Sequence, residues 1–346
     1  MSLFSGKKPL PRIELTLPKG WNDLSTSQLE GMCRILIDFA KRYTASGDYS
    51  EGAMLSRMFF LLTGLRITSE VHREAGIDAD DRENDWYECE FEDEALRKRY
   101  QLVDGEIAPI RIYTWEIVQY GVMQLKWVLD PCNLVNFPYP TLSLRHRRQL
   151  VTFEGPSTYM QNFSWRQYRF CCDYMALIAK LENSLAVMNR TPLKYGSTRI
   201  ASVQDALDNA RAGFLASLFN RSVVHVNDET GQVEDSFFFV SSQCNDNASF
   251  FKHFPEYKFQ AISLWWQGMM LYLSRQYPKV FRKEKVGKAN DDDPLKLYTR
   301  STTTMIKYAA SNEDEVNRTT YTIILQHIND MAEENERIEQ MKKNSK

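Results

Sequence analysis

Leu29, Met32, Cys33, Leu36, Ile37 and Ala40 recur at the three-and-four spacing of a single helical face. The run opens at Leu24-Ser25-Thr26-Ser27-Gln28-Leu29. Ser25 and Gln28 make a capping box, and Leu24 and Leu29 make a hydrophobic staple. The pattern predicts a helix over 26–43. A polar break at Ser46-Gly47-Asp48 separates it from a second apolar helix over 51–65, carrying Met54, Leu55, Met58, Phe59, Leu61 and Leu62. Before them, Ile13, Leu15 and Leu17 alternate with polar residues up to Pro18, as in a short edge strand. Residues 86–92 alternate apolar with acidic side chains, also a strand pattern. Asp104-Gly105 between residues 100–103 and 107–113 is a strong hairpin signal. A helix over 114–129 ends at Asp130-Pro131, and the proline-rich residues 130–144 read as an extended segment.

The second half repeats the first helix's opening. Phe163-Ser164-Trp165-Arg166-Gln167-Tyr168 supplies another capping box, Ser164 with Gln167, and another staple, Phe163 with Tyr168. The helix that follows runs to 183–188, and further helices are predicted over 202–219, 257–276, 295–310 and 313–341. A second hairpin spans 223–226 and 233–240, ending in Phe237-Phe238-Phe239-Val240, apolar on both faces. Such a strand is covered on both sides or meets a partner. The resulting fold class is α+β and predominantly helical: a helical bundle core, two small antiparallel β-hairpins and a long charged C-terminal helix. Three regions follow. Residues 1–144 form an N-terminal helical region with a small β-hairpin (86–113). Residues 145–281 form a central aromatic-rich helical region with the second hairpin (222–240). Residues 282–346 hold a charged linker and the C-terminal helices.

Composition narrows the function classes. The 346 residues carry a net charge of −2, so the chain lacks the overall basic excess of a dedicated nucleic-acid binder. The six cysteines, Cys33, Cys89, Cys132, Cys171, Cys172 and Cys244, form no C-x-x-C pair and read as free thiols of a reducing cytoplasm. No two of the five histidines stand at i, i+4, and no phosphate-loop, nucleophile-elbow or zinc-protease motif occurs. The expectation is a non-enzymatic protein with no catalytic, cofactor or metal residues. It is also expected to have no secretory leader and no transmembrane segment.

Two kinds of surface remain as candidates. Arg145, Arg147 and Arg148 cluster around His146, with Tyr139 upstream and Phe153 and Tyr159 downstream. Guanidinium groups interleaved with aromatics can hold single-stranded nucleic acid by phosphate contact and stacking. The competing reading, which carries more weight, is a solvated turn or an ion-pair partner for the acidic strands. Phe237 and Phe239 on the second hairpin, with Ile323, Leu325 and Ile328 on the last helix, are candidate protein-interface residues.

Three stretches carry a family resemblance: residues 21–29, the Gly155-Pro156 turn with residues 162–168, and the charged helix after Tyr308. On these the chain resembles uncharacterised proteins of Bacteroidetes phages and prophages, often encoded near tail genes. The resemblance implies a phage tail component or tail-assembly chaperone, working by protein–protein contacts in the host cytoplasm during assembly or within the virion. Its partners would be other phage structural or tail proteins, or further copies of itself. The alternative is a nucleic-acid-associated phage accessory protein using the arginine cluster.

Overall fold

The computed structural model describes residues 15–46, 50–73, 84–103, 105–226, 233–237, 239–281, 303 and 312–344. The fold is α+β and predominantly helical. The chain divides into two compact units, Met1–Asn133 and Leu134–Lys346. The boundary at 133 differs from those expected at 144 and 281.

The first unit begins with α1 (Thr26–Ser46) and α2 (Glu51–Thr63). The capping box of α1 forms in both directions: Gln28 N–H donates to Ser25 Oγ at 3.2 Å, and Ser25 N–H donates to Gln28 Oε1 at 3.0 Å. Ser50 caps α2, and Gly64 ends it at φ 66°, the left-handed conformation that glycine adopts without strain. The chain turns directly into β1 (Leu65–Ile67), then β2 (Trp86–Phe91), α3 (Glu94–Tyr100), β3 (Leu102–Val103), β4 (Glu106–Ile107) and β5 (Ile110–Tyr113). The Asp-Gly hairpin is confined to the two-residue ladder of β3 and β4. β5 leaves it to pair antiparallel with β2, giving a sheet of order β1-β2-β5.

Buried Gln101 organises that exchange. Its Oε1 accepts from Phe91 N–H at 2.9 Å, and its Nε2 donates to Ala108 O at 2.9 Å. Neither β1 nor α3 was expected from the sequence, and residues 15–18 are irregular rather than a strand, with Ile13 outside the described residues. The single helix expected over 114–129 is three different turns: α4 (Thr114–Glu116), a π-helical turn (Ile117–Val122) and a 3₁₀ turn (Lys126–Leu129). Gly121 sits in the π turn, where a Cβ would come 2.8 Å from the Phe59 ring. The absent side chain lets this segment lie against α2.

The second unit holds a four-stranded antiparallel sheet of order β6-β7-β8-β9: β6 (Thr141–His146), β7 (Gln149–Glu154), β8 (Asn220–Val226) and β9 (Val233–Phe237). The second expected hairpin is therefore the outer pair of a larger sheet. Its first pair, β6 and β7, lies where the sequence suggested an extended segment and a basic cluster. Around the sheet are α5 (Trp165–Arg190), α6 (Pro192–Tyr195), α7 (Ser197–Leu218), α8 (Cys244–Phe251), α9 (Glu256–Gln276), α10 (Glu313–Arg318) and α11 (Tyr321–Asn344). α5 and α7 pack antiparallel, with Gly213 against the Tyr174 ring and Arg211 paired to Glu182 at 2.9 Å. A chain of rings runs through the core, Trp265–Phe137–Phe219–Phe251–Phe153, with centroid separations of 4.7, 5.5, 5.6 and 5.1 Å. The helix expected over 295–310 lies outside the described residues except at position 303.

The α5 cap is half of the predicted box. Ser164 Oγ accepts from Gln167 N–H at 3.2 Å, but the Gln167 side chain does not turn back. It is buried and reaches the end of α7, donating from Nε2 to Ser217 O at 3.0 Å and to Asn220 Oδ1 at 3.1 Å. The start of α5 also exchanges backbone bonds with the C-terminal segment. Trp165 N–H donates to Thr319 O at 2.8 Å, and Tyr321 N–H donates to Phe163 O at 3.1 Å. That exchange breaks the expected 313–341 helix into α10 and α11 at Thr319 and Thr320. Tyr321 then stacks on Tyr168 at 5.0 Å and donates its hydroxyl to Tyr159 O at 2.9 Å.

The β6–β7 turn consists of Arg147 and Arg148, closed by the His146–Gln149 pair. Arg147 has φ 53°, a position where two-residue hairpins favour glycine. Arg147→Gly is expected to leave the fold intact and to raise stability by up to about 1 kcal/mol. A lower denaturant midpoint for that variant would contradict the strain.

Candidate functional site

The arginine cluster lies on a protruding β-ribbon. Strand alternation sets Thr141, Ser143 and Arg145 of β6 on one exposed face, opposite Glu154, Thr152 and Leu150 of β7. Ser143 Oγ and Thr152 Oγ1 are 3.3 Å apart across the ladder. The other face carries Leu142, His146 and Phe153. It rests on α8, with His146 5.4 Å and Phe153 5.6 Å from the Phe250 ring. β7 meets β8 only at Phe153 and Glu154, so the outer part of the ribbon is two strands wide. Arg145, Arg147 and Arg148 are exposed, and none joins an ion pair or hydrogen bond among the described residues.

Two of the aromatic neighbours that suggested base stacking, Tyr139 and Phe153, are buried, and Tyr159, 37% exposed, has one ring face stacked on Tyr272 at 4.8 Å. The ribbon thus offers cations and hydroxyls without the expected stacking platform.

The interface candidates separate. Ile323 is 58% exposed, whereas Leu325 is 2% exposed and belongs to the core. Ile328 is half-buried. Phe239 lies half-buried against Phe170, with ring centroids 5.6 Å apart. Phe237 ends β9 opposite Ser222, and its side chain is outside the described residues. Ile323 borders a shallow depression of about 450 Å³ with Tyr277, Gln326, His327 and Asp330. The last helix does not project freely from its start. Asn329 Oδ1 accepts from Lys279 N–H at 3.1 Å, and Lys279 pairs with Glu336.

A larger exposed apolar face was missed. On the irregular helical run of the first unit, Trp115, Val118, Tyr120 and Met123 are 38%, 48%, 50% and 53% exposed. The Trp115 ring lies 6.2 Å from Tyr120 and 6.4 Å from Tyr113. Tyr120 also borders a groove of about 520 Å³, with Leu15, Leu17, Leu65, Ile110 and Ile112 on its walls. Strand β5, which contributes Ile110 and Ile112, is an edge of its sheet. The sequence held a signal for this face. Trp115, Ile117, Val118, Tyr120, Val122, Met123 and Leu125 put apolar groups on every side of the run, the pattern of a helix that is buried or partnered.

The titratable groups with resolved shifts are mostly buried thiols and phenols. Burial pushes Cys33 up to about 12 and Cys89 up to about 11. It also raises Cys171 and Tyr168 well above their ordinary values. Thiols held protonated in this way are poor nucleophiles. Among the described residues, no three His, Cys, Asp or Glu side chains gather as a metal-ligand set. No helix among them is long and apolar enough to cross a membrane. A polar cleft of about 290 Å³ between α7 and α9 contains Asp208, Arg211, Lys252 and Glu256. There Arg211 is paired with Glu182 and lies 5.0 Å over the Phe259 ring, while Gln204 donates to Asp208. Comparison of the chain with family models, curated proteins and solved structures gave no match in any of the three.

Proposed function

We propose that this is a non-enzymatic phage assembly protein, a tail component or tail-assembly chaperone, that acts by docking another tail protein on its N-terminal unit. The observation that carries the reading is the exposed face of Trp115, Val118, Tyr120 and Met123. Tryptophan, tyrosine and methionine are the residues enriched in protein–protein interfaces. Four large apolar side chains more than a third exposed on one short run, two of them with neighbouring rings, make a candidate contact surface. The tail context rests on the family resemblance of residues 21–29 and 162–168. The partner is expected to cover Trp115 and Met123 and to place apolar side chains over Tyr120.

Trp115→Ser with Met123→Ser tests this directly. Both side chains are more than a third exposed, so the melting temperature is expected to stay within a few degrees of the parent. Affinity for the tail partner is expected to fall by about 2 kcal/mol or more, the scale of an aromatic hot spot. Isothermal titration of parent and variant against the tail proteins of the same genome measures it. Equal affinities would exclude this face.

A further inference from the structure

We propose that the open face and tip of the β6–β7 ribbon dock the phosphate backbone of a nucleic-acid duplex, independently of the apolar face on the N-terminal unit. Three observations converge. Arg145, Arg147 and Arg148 are exposed and unpaired among the described residues, in a chain whose total charge is −2. Three free guanidinium groups on one short ribbon are a concentrated local positive field. The rest of the open face carries three hydroxyls, Thr141, Ser143 and Thr152, with exposed Leu150 opposite Arg145. Guanidinium and hydroxyl groups together are the donors that contact phosphate oxygens. The carboxylate on that face, Glu154, is half-buried at the base of the ribbon, away from the tip.

Shape selects the duplex. The outer ribbon is two strands wide, a width the major groove admits, and Arg147 with Arg148 forms its leading edge. Single-strand binding needs exposed rings on which bases can stack. Tyr139 and Phe153, which would have served, are buried, and Tyr159 is occupied by Tyr272. Contacts from Arg145 and the face hydroxyls go to phosphates, so this part of the affinity is independent of sequence.

The test uses the full-length protein and a labelled random-sequence DNA duplex of about 20 base pairs, read by fluorescence anisotropy against salt. Three phosphate contacts give a log–log salt slope of about −2.7, or roughly a fortyfold loss of affinity from 50 to 200 mM. Arg145→Gln, Arg147→Gln and Arg148→Gln together are expected to weaken binding at least tenfold at 50 mM and to flatten the slope. Their circular dichroism is expected to match the parent. Arg147→Gly alone separates charge from turn geometry and is expected to reduce the slope by about one. Absence of duplex binding at 50 mM salt, or binding unchanged in the triple variant, overturns the proposal. So does tighter binding to poly-glutamate than to the duplex, which would assign the ribbon to an acidic protein segment. Preference for an unstructured single strand over the duplex also overturns it.

Discussion

Gly268→Ala is expected to destabilise the C-terminal unit by about 2 kcal/mol or more, although alanine is the better helix former. The reason is what lies above the glycine. Gly268 is on α9, where a Cβ would meet Leu134 O at 2.1 Å, Leu134 N at 2.6 Å and Leu134 C at 2.8 Å. These are main-chain atoms, so no rotamer change relieves the contact. The segment cannot easily lift away either. Trp265 Nε1 donates to Val135 O at 3.1 Å, Leu134 is buried, and the Phe137 ring packs 4.7 Å from Trp265. Overpacking a tight site costs about 1–3 kcal/mol and occasionally more. Better helix propensity returns at most about 1 kcal/mol. Chemical unfolding followed by tryptophan fluorescence measures the balance. A Gly268→Ala protein as stable as the parent would mean that Leu134 and α9 are not in this contact.

Gln167→Met is expected to cost about 2–3 kcal/mol with little change in side-chain volume. The Gln167 amide is buried between α5 and the end of α7. Its Nε2 serves Ser217 O, one of the terminal helix carbonyls that no residue within α7 can reach, and also Asn220 Oδ1 at the start of β8. A thioether leaves both acceptors buried without a donor, a desolvation penalty of about 1–3 kcal/mol for each group so stranded. Protection of the α7 C-terminal amides from hydrogen exchange should fall with global stability. A change confined to the first turn of α5 would instead show that Gln167 serves only its own helix.

Gln167 marks where sequence reasoning stopped. Its neighbour Ser164 is read correctly because a cap depends on residues three positions apart. The Gln167 partners are 50 and 53 positions away, and no local pattern points to them. The same division runs through the chain. The box at Ser25, the Ser164 half of the second box, the long helices α1, α5 and α9, the body of α7 (which begins at Ser197, before the expected 202) and the β8–β9 pair follow from periodicity and caps. β1, β6 and the shift of β5 from β4 to β2 depend on long-range pairing and on Gln101. The break at Thr319 and Thr320 follows from backbone bonds exchanged with Phe163 and Trp165 at the start of α5, so a periodic charged pattern gave no sign of it.

The candidate surfaces divide in the same way. Exposure of Arg145, Arg147 and Arg148 follows from composition, because three arginines in four residues rarely bury. The loss of their stacking partners does not. Phe153 is inward on a strand whose register only the paired sheet reveals, and Tyr139 is buried in the segment that leads into β6. Leu325 and Ile323, two residues apart on one helix, looked equivalent as interface residues. Only packing separates the core leucine from the exposed isoleucine.

Size-exclusion chromatography with light scattering tests the proposed docking of another tail protein. The protein would be run alone and mixed with each tail protein of the same genome. A heavier complex is expected with at least one of them, lost when Trp115 and Met123 are both serine. A strict monomer that passes every tail protein without co-eluting would contradict it.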